Sequence, residues 1–324
     1  MQKKDYQILL YYCYATINNP EAYRREHHLF CVQNDVRGRV IVSEEGLNGT
    51  VSGLVDDCQK YMDYIHSDNR FTNTDFKIEA FNAHAFTKIY VRYKPEIVHS
   101  ALRHLNPNVK TGKYLQPEEF KKLKDREDVI ILDVRSNHEH ELGHFKNAIT
   151  LDINNFRDFP AKVKALEYLK NKKVLTYCTG GVKCEKASAF LLEQGFEDVY
   201  QLHGGIIKYG MEVGGEDFEG KCYVFDNRIA LEVNTVNPTM ISTCHVCGTY
   251  SDRMVNCADA TCNAHLAMCD ECGWKMEGAC SEVCKENPKK RAYDGSGYYK
   301  RKSNRYIHYN SSDCENNKAE ILNY

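Results

Sequence analysis

The stretch Tyr177-Cys178-Thr179-Gly180-Gly181-Val182-Lys183-Cys184 places a cysteine between an apolar strand and a helix. Residues 173–177 are short and apolar, as in a buried strand, and residues 185–192 carry apolar side chains at helical spacing. In such a turn the amide N–H groups of residues 179–184 can converge on the sulfur of Cys178, beside the positive end of the following helix. Both influences lower the pKa of a thiol, so we predict a catalytic thiolate at Cys178. The predicted active-site loop consists of Thr179, Gly180, Gly181, Val182, Lys183 and Cys184.

The residue types of this loop favour sulfur chemistry over phosphate chemistry. A cysteine phosphatase needs an arginine six positions after the nucleophile to hold the phosphate, and Cys184 stands there. The loop can still bind a persulfide or another small anionic group, with Lys183 as the nearest cation. Two alternatives stay open: Cys178 as an ordinary buried cysteine, and Cys184 as either a resolving thiol or a small residue in the first helical turn.

A second group of cysteines, near the C terminus, has the spacing of metal ligands. Four thiolates form one closed tetrahedral zinc site, so eight predict two structural zinc ions, and each close pair can come from one tight turn. Sequential pairing and a cross-brace are both open, iron–sulfur ligation is an alternative, and His265 could replace one cysteine. The predicted ligands are Cys244 and Cys247, Cys257 and Cys262, Cys269 and Cys272, and Cys280 and Cys284.

Behind these pairs, basic residues alternate with tyrosines. Cations for phosphates and rings for stacking are what contact with single-stranded RNA requires, whereas the alternative is a solvated basic tail. The candidate RNA-binding residues are Lys289, Lys290, Arg291, Lys300, Arg301 and Lys302.

The elements that must position these residues divide the chain of 324 residues into two or three domains. Residues 1–95 alternate strands and helices, which predicts a ferredoxin-like α+β domain. Within it, strands 39–43 and 50–52 flank the loop 44–49, for which a simple hairpin turn is the locally favoured alternative. Residues 96–114 are predicted as a linker, 115–213 as an α/β domain, 214–285 as the cysteine-rich module and 286–324 as the basic tail.

Composition narrows the class of protein. A net charge of −2 gives no overall bias toward nucleic acid, so RNA contacts would use local patches. The early apolar stretch 8–14 is too short to span a bilayer and lacks a signal-peptide cleavage pattern, so we expect a cytoplasmic protein without membrane association. For the same reason the paired cysteines favour metal ligation over disulfides. The oligomeric state stays open.

Residues 115–213 resemble the rhodanese family. The resemblance is carried by Asp133-Val134-Arg135, by Glu141, Gly143-His144 and Ala148-Ile149, by the Cys178 loop, and by Leu202-His203-Gly204-Gly205. It implies a parallel sheet and a cysteine that carries sulfur as a persulfide, at the position of Cys178. Asp133 and Arg135 would then brace the loop, or form an ordinary structural ion pair.

Taken over nearly its whole length, the chain resembles the bacterial rhodanese-type tRNA uridine 5-hydroxylases. The segments that carry this resemblance are Glu44-Glu45-Gly46-Leu47-Asn48-Gly49, the Cys178 loop and the paired cysteines. It implies oxygen-dependent hydroxylation of the wobble uridine, position 34 of tRNA, to 5-hydroxyuridine, with molecular oxygen as co-substrate and an electron donor left open. Two other functions remain: a thiosulfate or persulfide sulfurtransferase, and a zinc-braced RNA-binding protein without catalysis.

The resemblance leaves the mechanism open. No His/carboxylate triad for iron and no flavin motif is evident in the sequence. One hypothesis is that the Cys178 thiolate adds to carbon 6 of uracil. The other is that a persulfide or sulfenic form of Cys178 takes part in oxygen transfer.

Overall fold

The computed structural model describes residues 5–299. The N-terminal domain contains five strands and two helices, with one helix after the first strand and the other after the third. The sheet has the strand order β4-β1-β3-β2-β5 and is antiparallel except for the pair β2 and β5. Because four of its strands follow the order of a ferredoxin-like sheet, the predicted fold class is confirmed. The elements are β1 (Tyr6–Tyr14), α1 (Pro20–Gln33), β2 (Arg37–Ser43), β3 (Gly46–Leu54), α2 (Val55–Ser67), β4 (Lys77–Phe81) and β5 (Ile89–Tyr93).

The two faces of this sheet have different neighbours. Leu9 and Tyr11 of β1 belong to the apolar core that includes residues of α1 and α2. The alternate residues Leu10 and Tyr12 point away from these helices, where Leu10 packs against the core of the central domain and Tyr12 bonds to its Glu185. The helix-free face of the sheet is therefore the one that meets the central domain.

The hairpin between β2 and β3 is tighter than the predicted loop 44–49. Glu44 and Glu45 alone form the turn, and β3 already begins at Gly46, so the six-residue loop was wrong and the hairpin alternative is confirmed. Gly49 lies inside β3, and a Cβ at this position would come within 2.7 Å of the Tyr11 ring. This glycine permits a close approach between strands and does not form a turn.

The central domain is an α/β unit around the all-parallel sheet β6-β10-β9-β7. This arrangement confirms the predicted parallel sheet, and the carboxyl end of β9 leads directly to Cys178. Two 3₁₀ segments, Phe156–Asp158 and Val163–Leu169, accompany the helices. The elements are β6 (Lys113–Leu115), α3 (Pro117–Leu123), β7 (Val129–Asp133), α4 (Asn137–Leu142), β8 (Gly143–Phe145), α5 (Phe159–Lys162), β9 (Lys173–Tyr177), α6 (Val182–Glu193), β10 (Asp198–Leu202) and α7 (Gly205–Val213).

The C-terminal part consists of short strands and two one-turn helices around its cysteines. A strand pairs with β8, so this part is joined to the central domain by backbone hydrogen bonds. Its apolar clusters are small and include the cysteines themselves. Within residues 5–299, none of the helices is long and apolar enough to cross a membrane. The elements are β11 (Phe218–Gly220), β12 (Cys222–Tyr223), β13 (Ala230–Leu231), β14 (Met254–Asn256), β15 (His265–Ala267), α8 (Asp270–Lys275) and α9 (Glu282–Glu286).

Candidate active site

Cys178 lies where β9 turns into α6. Its side chain is buried, and the backbone N–H of Gly181 donates to its sulfur at 3.2 Å. Gly181 caps α6 with a φ of +102°, and a Cβ there would lie 2.9 Å from the Tyr12 hydroxyl oxygen. The turn therefore needs glycine both for its backbone conformation and for its contact with the N-terminal domain.

The environment of Cys178 lowers the pKa of its thiol. Burial acts to raise this pKa, but the hydrogen bond from the Cys184 thiol, the charge of Lys183, and the backbone N–H groups of Cys184 and Gly181 outweigh it and lower the pKa to about 7. Burial and then the neighbouring Cys178 hold the pKa of Cys184 well above its ordinary value. Cys184 thus stays a protonated donor to the Cys178 thiolate near neutral pH.

Lys183 is held beside the thiol by Glu139. The two side chains form a salt bridge of 2.6 Å, in which Glu139 is buried and Lys183 is largely buried. Glu139 also accepts from the backbone N–H and hydroxyl of Ser136, and so closes the capping box of α4. Burial would raise the pKa of this carboxyl, but Lys183 and then Arg135 lower it to about 2. Sequence reasoning missed Glu139, although the pattern Ser136-x-x-Glu139 is itself a capping-box signal.

Asp133 and Arg135 form a buried ion pair behind the loop. The Arg135 guanidinium donates to both carboxylate oxygens of Asp133, at 2.9 and 2.7 Å, and to the Gly143 carbonyl at 2.6 Å. Asp133 also accepts from the Tyr177 hydroxyl at 2.7 Å and lies 2.9 Å from His140 Nδ1. These contacts connect β7, α4 and the end of β9, so the pair fixes the strand that precedes Cys178.

The start of α6 is tied to distant parts of the chain, which the sequence did not indicate. Glu185 is buried and accepts from the hydroxyls of Tyr12 at 2.8 Å and Tyr114 at 2.9 Å. Lys186, fully buried, pairs with Glu45 at 2.7 Å. The Glu44-Glu45 turn and β1 therefore hold the active-site helix from the N-terminal domain.

A cavity of about 430 Å³ lies between the helix-free face of the N-terminal sheet and the Cys178 loop. This volume is within the range of small-molecule sites. The sheet contributes Tyr12, Asn48 and Ile41, and the central domain contributes Cys178 itself. The remaining lining residues are Leu10, Tyr11, Arg39, Gly49, Thr50, Ile97, Val98, His99, Ser136, His138, Glu139, Asn154, Asn155, Phe156, Thr179, Gly180, Val182, Lys183 and Phe225.

One residue of the cysteine-rich module, His265, packs against a side chain that lines the cavity. His138 lines the cavity, and its ring stacks on the ring of His265 with centroids 5.2 Å apart and an interplanar angle of 26°. Tyr223 packs edge-on against His138, with centroids 5.1 Å apart. Burial lowers the pKa of His138 to about 4, so this imidazole is neutral at pH 7. His265 thus supports a wall of the cavity and lies in neither cysteine cluster.

The eight predicted ligands form two clusters, each able to hold a metal ion. In each cluster the four sulfur atoms lie within 4.8 Å of one another, and the first pair joins the third while the second joins the fourth. This is the cross-brace, one of the two pairings that the sequence left open. The sulfurs of Cys247 and Cys269 are 3.8 Å apart. Tetrahedral metal–sulfur bonds of about 2.3 Å place two ligand sulfurs about 3.8 Å apart, so the arrangement fits a four-thiolate site.

The basic residues beyond the clusters have different surroundings. Lys290 pairs with Glu277 at 2.9 Å, and the Arg291 guanidinium lies 4.1 Å from the Tyr299 ring centroid and donates to the Ala258 carbonyl at 3.1 Å. Both side chains therefore bind the cysteine-rich module itself, whereas Lys289 is exposed. The candidates Lys300, Arg301 and Lys302 lie outside the described residues.

Three family models match successive parts of the chain. Residues 6–97 match the UPF0176 acylphosphatase-like domain, residues 116–212 the rhodanese-like domain, and residues 219–285 the rhodanase C-terminal region. The middle match carries the Cys178 loop, and the last one carries both cysteine clusters.

Curated proteins named tRNA uridine(34) hydroxylase are similar over nearly the whole length. The one from Cytophaga hutchinsonii is 66% identical, over 94% of this chain and 98% of that protein. Those from Bacillus thuringiensis and Staphylococcus epidermidis are each 46% identical, over 89% of this chain and 92% and 91% of theirs.

Proposed function

We propose, because this chain belongs to the tRNA uridine(34) hydroxylase family, that it hydroxylates carbon 5 of uridine 34 in tRNA, in the cavity beside Cys178. We place the reaction in this cavity because Cys178, a thiol with a pKa of about 7, lies on its wall, and the cavity has a volume of about 430 Å³. A thiol with this pKa is substantially ionised at neutral pH and is then a nucleophile. The cavity accommodates a single extruded base with part of its ribose.

In the proposed reaction the Cys178 thiolate attacks carbon 6 of the uracil ring. As the S–C6 bond forms, the electrons of the C5=C6 double bond move onto the enolate of carbons 5 and 4, which makes carbon 5 nucleophilic. Carbon 5 takes up one oxygen atom and then loses its hydrogen as a proton. The C6–S bond breaks, the thiolate leaves, and the C5=C6 bond is restored.

Molecular oxygen supplies the oxygen atom that carbon 5 takes up, and a reductant supplies the electrons that the reaction still needs. One oxygen atom ends on carbon 5 and the other in water, for which a two-electron reductant and two protons are required. The chain's own residues bind and orient the base: Asn48 donates through Nδ2 to the Ile97 carbonyl at 2.9 Å, which holds its amide in the cavity wall. The neutral His138 supplies a second polar group to the same wall.

Zinc is the metal that we propose for both cysteine clusters. Four thiolates close the coordination shell of zinc and leave no open position for chemistry, so each ion would be structural. In this protein such ions would hold His265, and through it His138, against the cavity.

The cavity offers aromatic side chains to the proposed substrate, since Tyr12, Phe156 and Phe225 line it. Uridine 34 belongs to a single-stranded loop, and proteins read such loops through splayed bases that stack on aromatic rings. We place the reaction in the cytoplasm, with tRNA as the partner, and retain the exposed Lys289 as a predicted RNA contact.

The test is nucleoside mass spectrometry of tRNA from cells that lack the native activity. Complementation with wild type, and with Cys13→Ser as a control for the loss of a partly exposed thiol outside the cavity, should restore 5-hydroxyuridine derivatives, whereas Cys178→Ser should not. Recovery by Cys178→Ser would exclude this residue as the nucleophile. No recovery by soluble wild type, together with thiocyanate release from thiosulfate and cyanide, would instead identify a sulfurtransferase.

A trapping experiment separates the two mechanisms. RNA with 5-fluorouridine at position 34 should form a stable adduct with Cys178, since fluorine cannot leave as the C5 proton does. Capture of a Cys178 persulfide without any RNA adduct would contradict the addition mechanism and favour oxygen transfer through an oxidised sulfur.

A further inference from the structure

The helix-free face of the N-terminal sheet is only partly covered. Its β1 side meets the central domain, whereas strands β2 and β5 carry the exposed residues Arg39, Tyr90 and Arg92. We propose that this open part, named here the β2–β5 platform (Arg39, Ile41, Tyr90 and Arg92), binds the tRNA nucleotides next to uridine 34. The inference rests on the proposed function and specifies where its substrate is held.

The strand register makes the platform a continuation of the cavity. Tyr12 is paired with Asn48, Asn48 with Ile41, and Ile41 with Arg92, so the four residues form one row across β1, β3, β2 and β5. The first three of them line the cavity. Because neighbouring strands lie about 4.8 Å apart, Arg92 follows Asn48 at about 10 Å, just outside the cavity.

A second row runs parallel to the first and leads to an aromatic ring. Thr50 is paired with Arg39, and Arg39 with Tyr90. Thr50 and Arg39 line the cavity, and Tyr90 lies beyond them with 44% of its surface exposed. The Arg92 guanidinium lies 5.0 Å from the Tyr90 ring centroid, so the cation and the ring form one unit at the edge of the sheet.

The charges of the platform are not neutralised by the protein. Within residues 5–299, neither Arg39 nor Arg92 has an acidic side chain within salt-bridge distance. Arg39 donates a 3.3 Å hydrogen bond to the Phe225 carbonyl, at the side of the cavity, and its guanidinium lies 5.9 Å from the Phe86 ring centroid. Two guanidinium groups without acidic partners, one of them beside an exposed ring, are suited to phosphates and bases, and poorly suited to an apolar protein interface.

The geometry of the reaction also requires such a surface. Uridine 34 enters the cavity as part of a chain, so the nucleotides on either side must lie at its mouth. A ferredoxin-like sheet with aromatic and basic residues on its open face is a known solution for single-stranded RNA, because a base stacks on the ring while cations hold the backbone. The β2–β5 platform is the part of this mouth that offers both.

The experiment measures binding and turnover separately, with an anticodon stem-loop RNA that carries uridine 34. Tyr90→Ala should weaken binding and raise the KM for RNA about tenfold, with kcat at saturation within about twofold, since stacking is lost but the cavity is intact. Tyr90→Phe keeps the ring and should bind like wild type. Arg92→Gln should lower the salt dependence of binding by about one ion.

Matched controls come from exposed sites elsewhere. Tyr168→Ala removes a ring that is 74% exposed on the central domain, and Lys60→Gln removes an exposed cation from α2, on the other side of the sheet. Both should bind RNA like wild type, and the rate of alkylation of Cys178 should be the same in all variants.

Unchanged affinity and KM in Tyr90→Ala and Arg92→Gln would overturn the inference and leave the proposed function standing. A change of self-association in these variants, with RNA affinity unaltered, would overturn it too, since the platform would then contact protein. If wild type does not hydroxylate the RNA under any condition, the proposed function fails. The binding measurements would still test whether the β2–β5 platform contacts RNA, because they need no turnover.

Discussion

Replacing Lys183 by methionine removes the cation beside Cys178 while it keeps the length of the side chain. The charge of Lys183 is one of the influences that lower the pKa of Cys178 to about 7, after the hydrogen bond from Cys184. Without this charge the thiol becomes a weaker acid, so the thiolate should form at higher pH. The same variant leaves the buried carboxylate of Glu139 without its 2.6 Å partner.

The size of the effect follows from electrostatics. In a medium of effective dielectric constant about 20, a unit charge about 4 Å away acts with about 4 kcal/mol, and this energy falls as the separation grows. Because Glu139 offsets part of the lysine charge, we expect a tenfold decrease in the acid dissociation constant of Cys178, which corresponds to about 1.4 kcal/mol. At pH 7 the thiolate fraction would fall from about one half to about one tenth. Above about pH 9 the variant and wild type should react at similar rates.

The assay is the pH dependence of Cys178 alkylation by iodoacetamide, followed by mass spectrometry of the peptide that contains it. Hydroxylation of tRNA over the same pH range shows whether turnover follows the thiolate. The double variant Lys183→Met with Glu139→Gln is the control, since it removes the ion pair as a whole and keeps the cap of α4. It should recover most of the about 3 kcal/mol of stability that an unpaired buried carboxylate costs the single variant.

Two results would refute this reasoning. If Lys183→Met is alkylated with the same pH midpoint as wild type, then the Cys184 thiol and the backbone N–H groups lower the pKa without help from the cation. If the midpoint moves to lower pH, the electrostatic account of the loop is wrong in sign.

The other predictions concern Cys184, Glu139 and the two metal sites. Cys184→Ala removes the donor to the Cys178 thiolate and should slow alkylation at pH 7 several-fold; a loss of steady-state turnover with normal alkylation would instead indicate a resolving thiol. Because the pKa of Glu139 is lowered to about 2, its contribution to stability is present above its ordinary pKa and is lost as the pH falls toward 2, so urea unfolding of Glu139→Gln should depend less on pH over this acidic range. Metal analysis should find about two zinc ions per chain, and iron with sulfide would contradict this. Removal of the zinc should also slow turnover, since His265 would no longer support His138.

The parts of the site that could be predicted from the sequence are formed by residues that lie close together in the chain. A strand that ends in cysteine, a glycine turn and an amphipathic helix lie within about twenty residues, and local spacing was enough to place Cys178 at the turn. The close cysteine pairs are equally local. Their assignment to two clusters is not, because the cross-brace depends on how β14, β15 and α8 bring the pairs together.

The wall of the cavity that the N-terminal sheet forms could not be predicted from the sequence, because its contacts join residues that are far apart in the chain. Tyr12 reaches Glu185 across 173 positions of the chain, and only the packing of two domains brings them within 2.8 Å. The segment Gly46-Leu47-Asn48-Gly49 was assigned to the loop 44–49. In the structure its glycines lie in β3, where the absence of a Cβ allows the Tyr11 ring to approach Gly49.

The contacts of α6 show that the N-terminal and central domains build the candidate active site together. Lys186 donates to the Leu102 and Leu105 carbonyls at 3.2 and 2.7 Å, and Glu45 is the carboxylate that pairs with its charge, so the N-terminal domain contributes to the stability of the active-site helix. Glu185 accepts from Tyr12 of the N-terminal domain, and also from Tyr114 and Gln201 of the central domain. A rhodanese domain alone would keep the Cys178 turn, yet it would lose Tyr12, Glu45 and the sheet face that closes the cavity. The thiol could then still carry sulfur, whereas a base would have no wall to hold it. Under the proposed function, selection of a nucleoside as substrate would therefore reside in the N-terminal sheet, and activation of the thiol in the central domain.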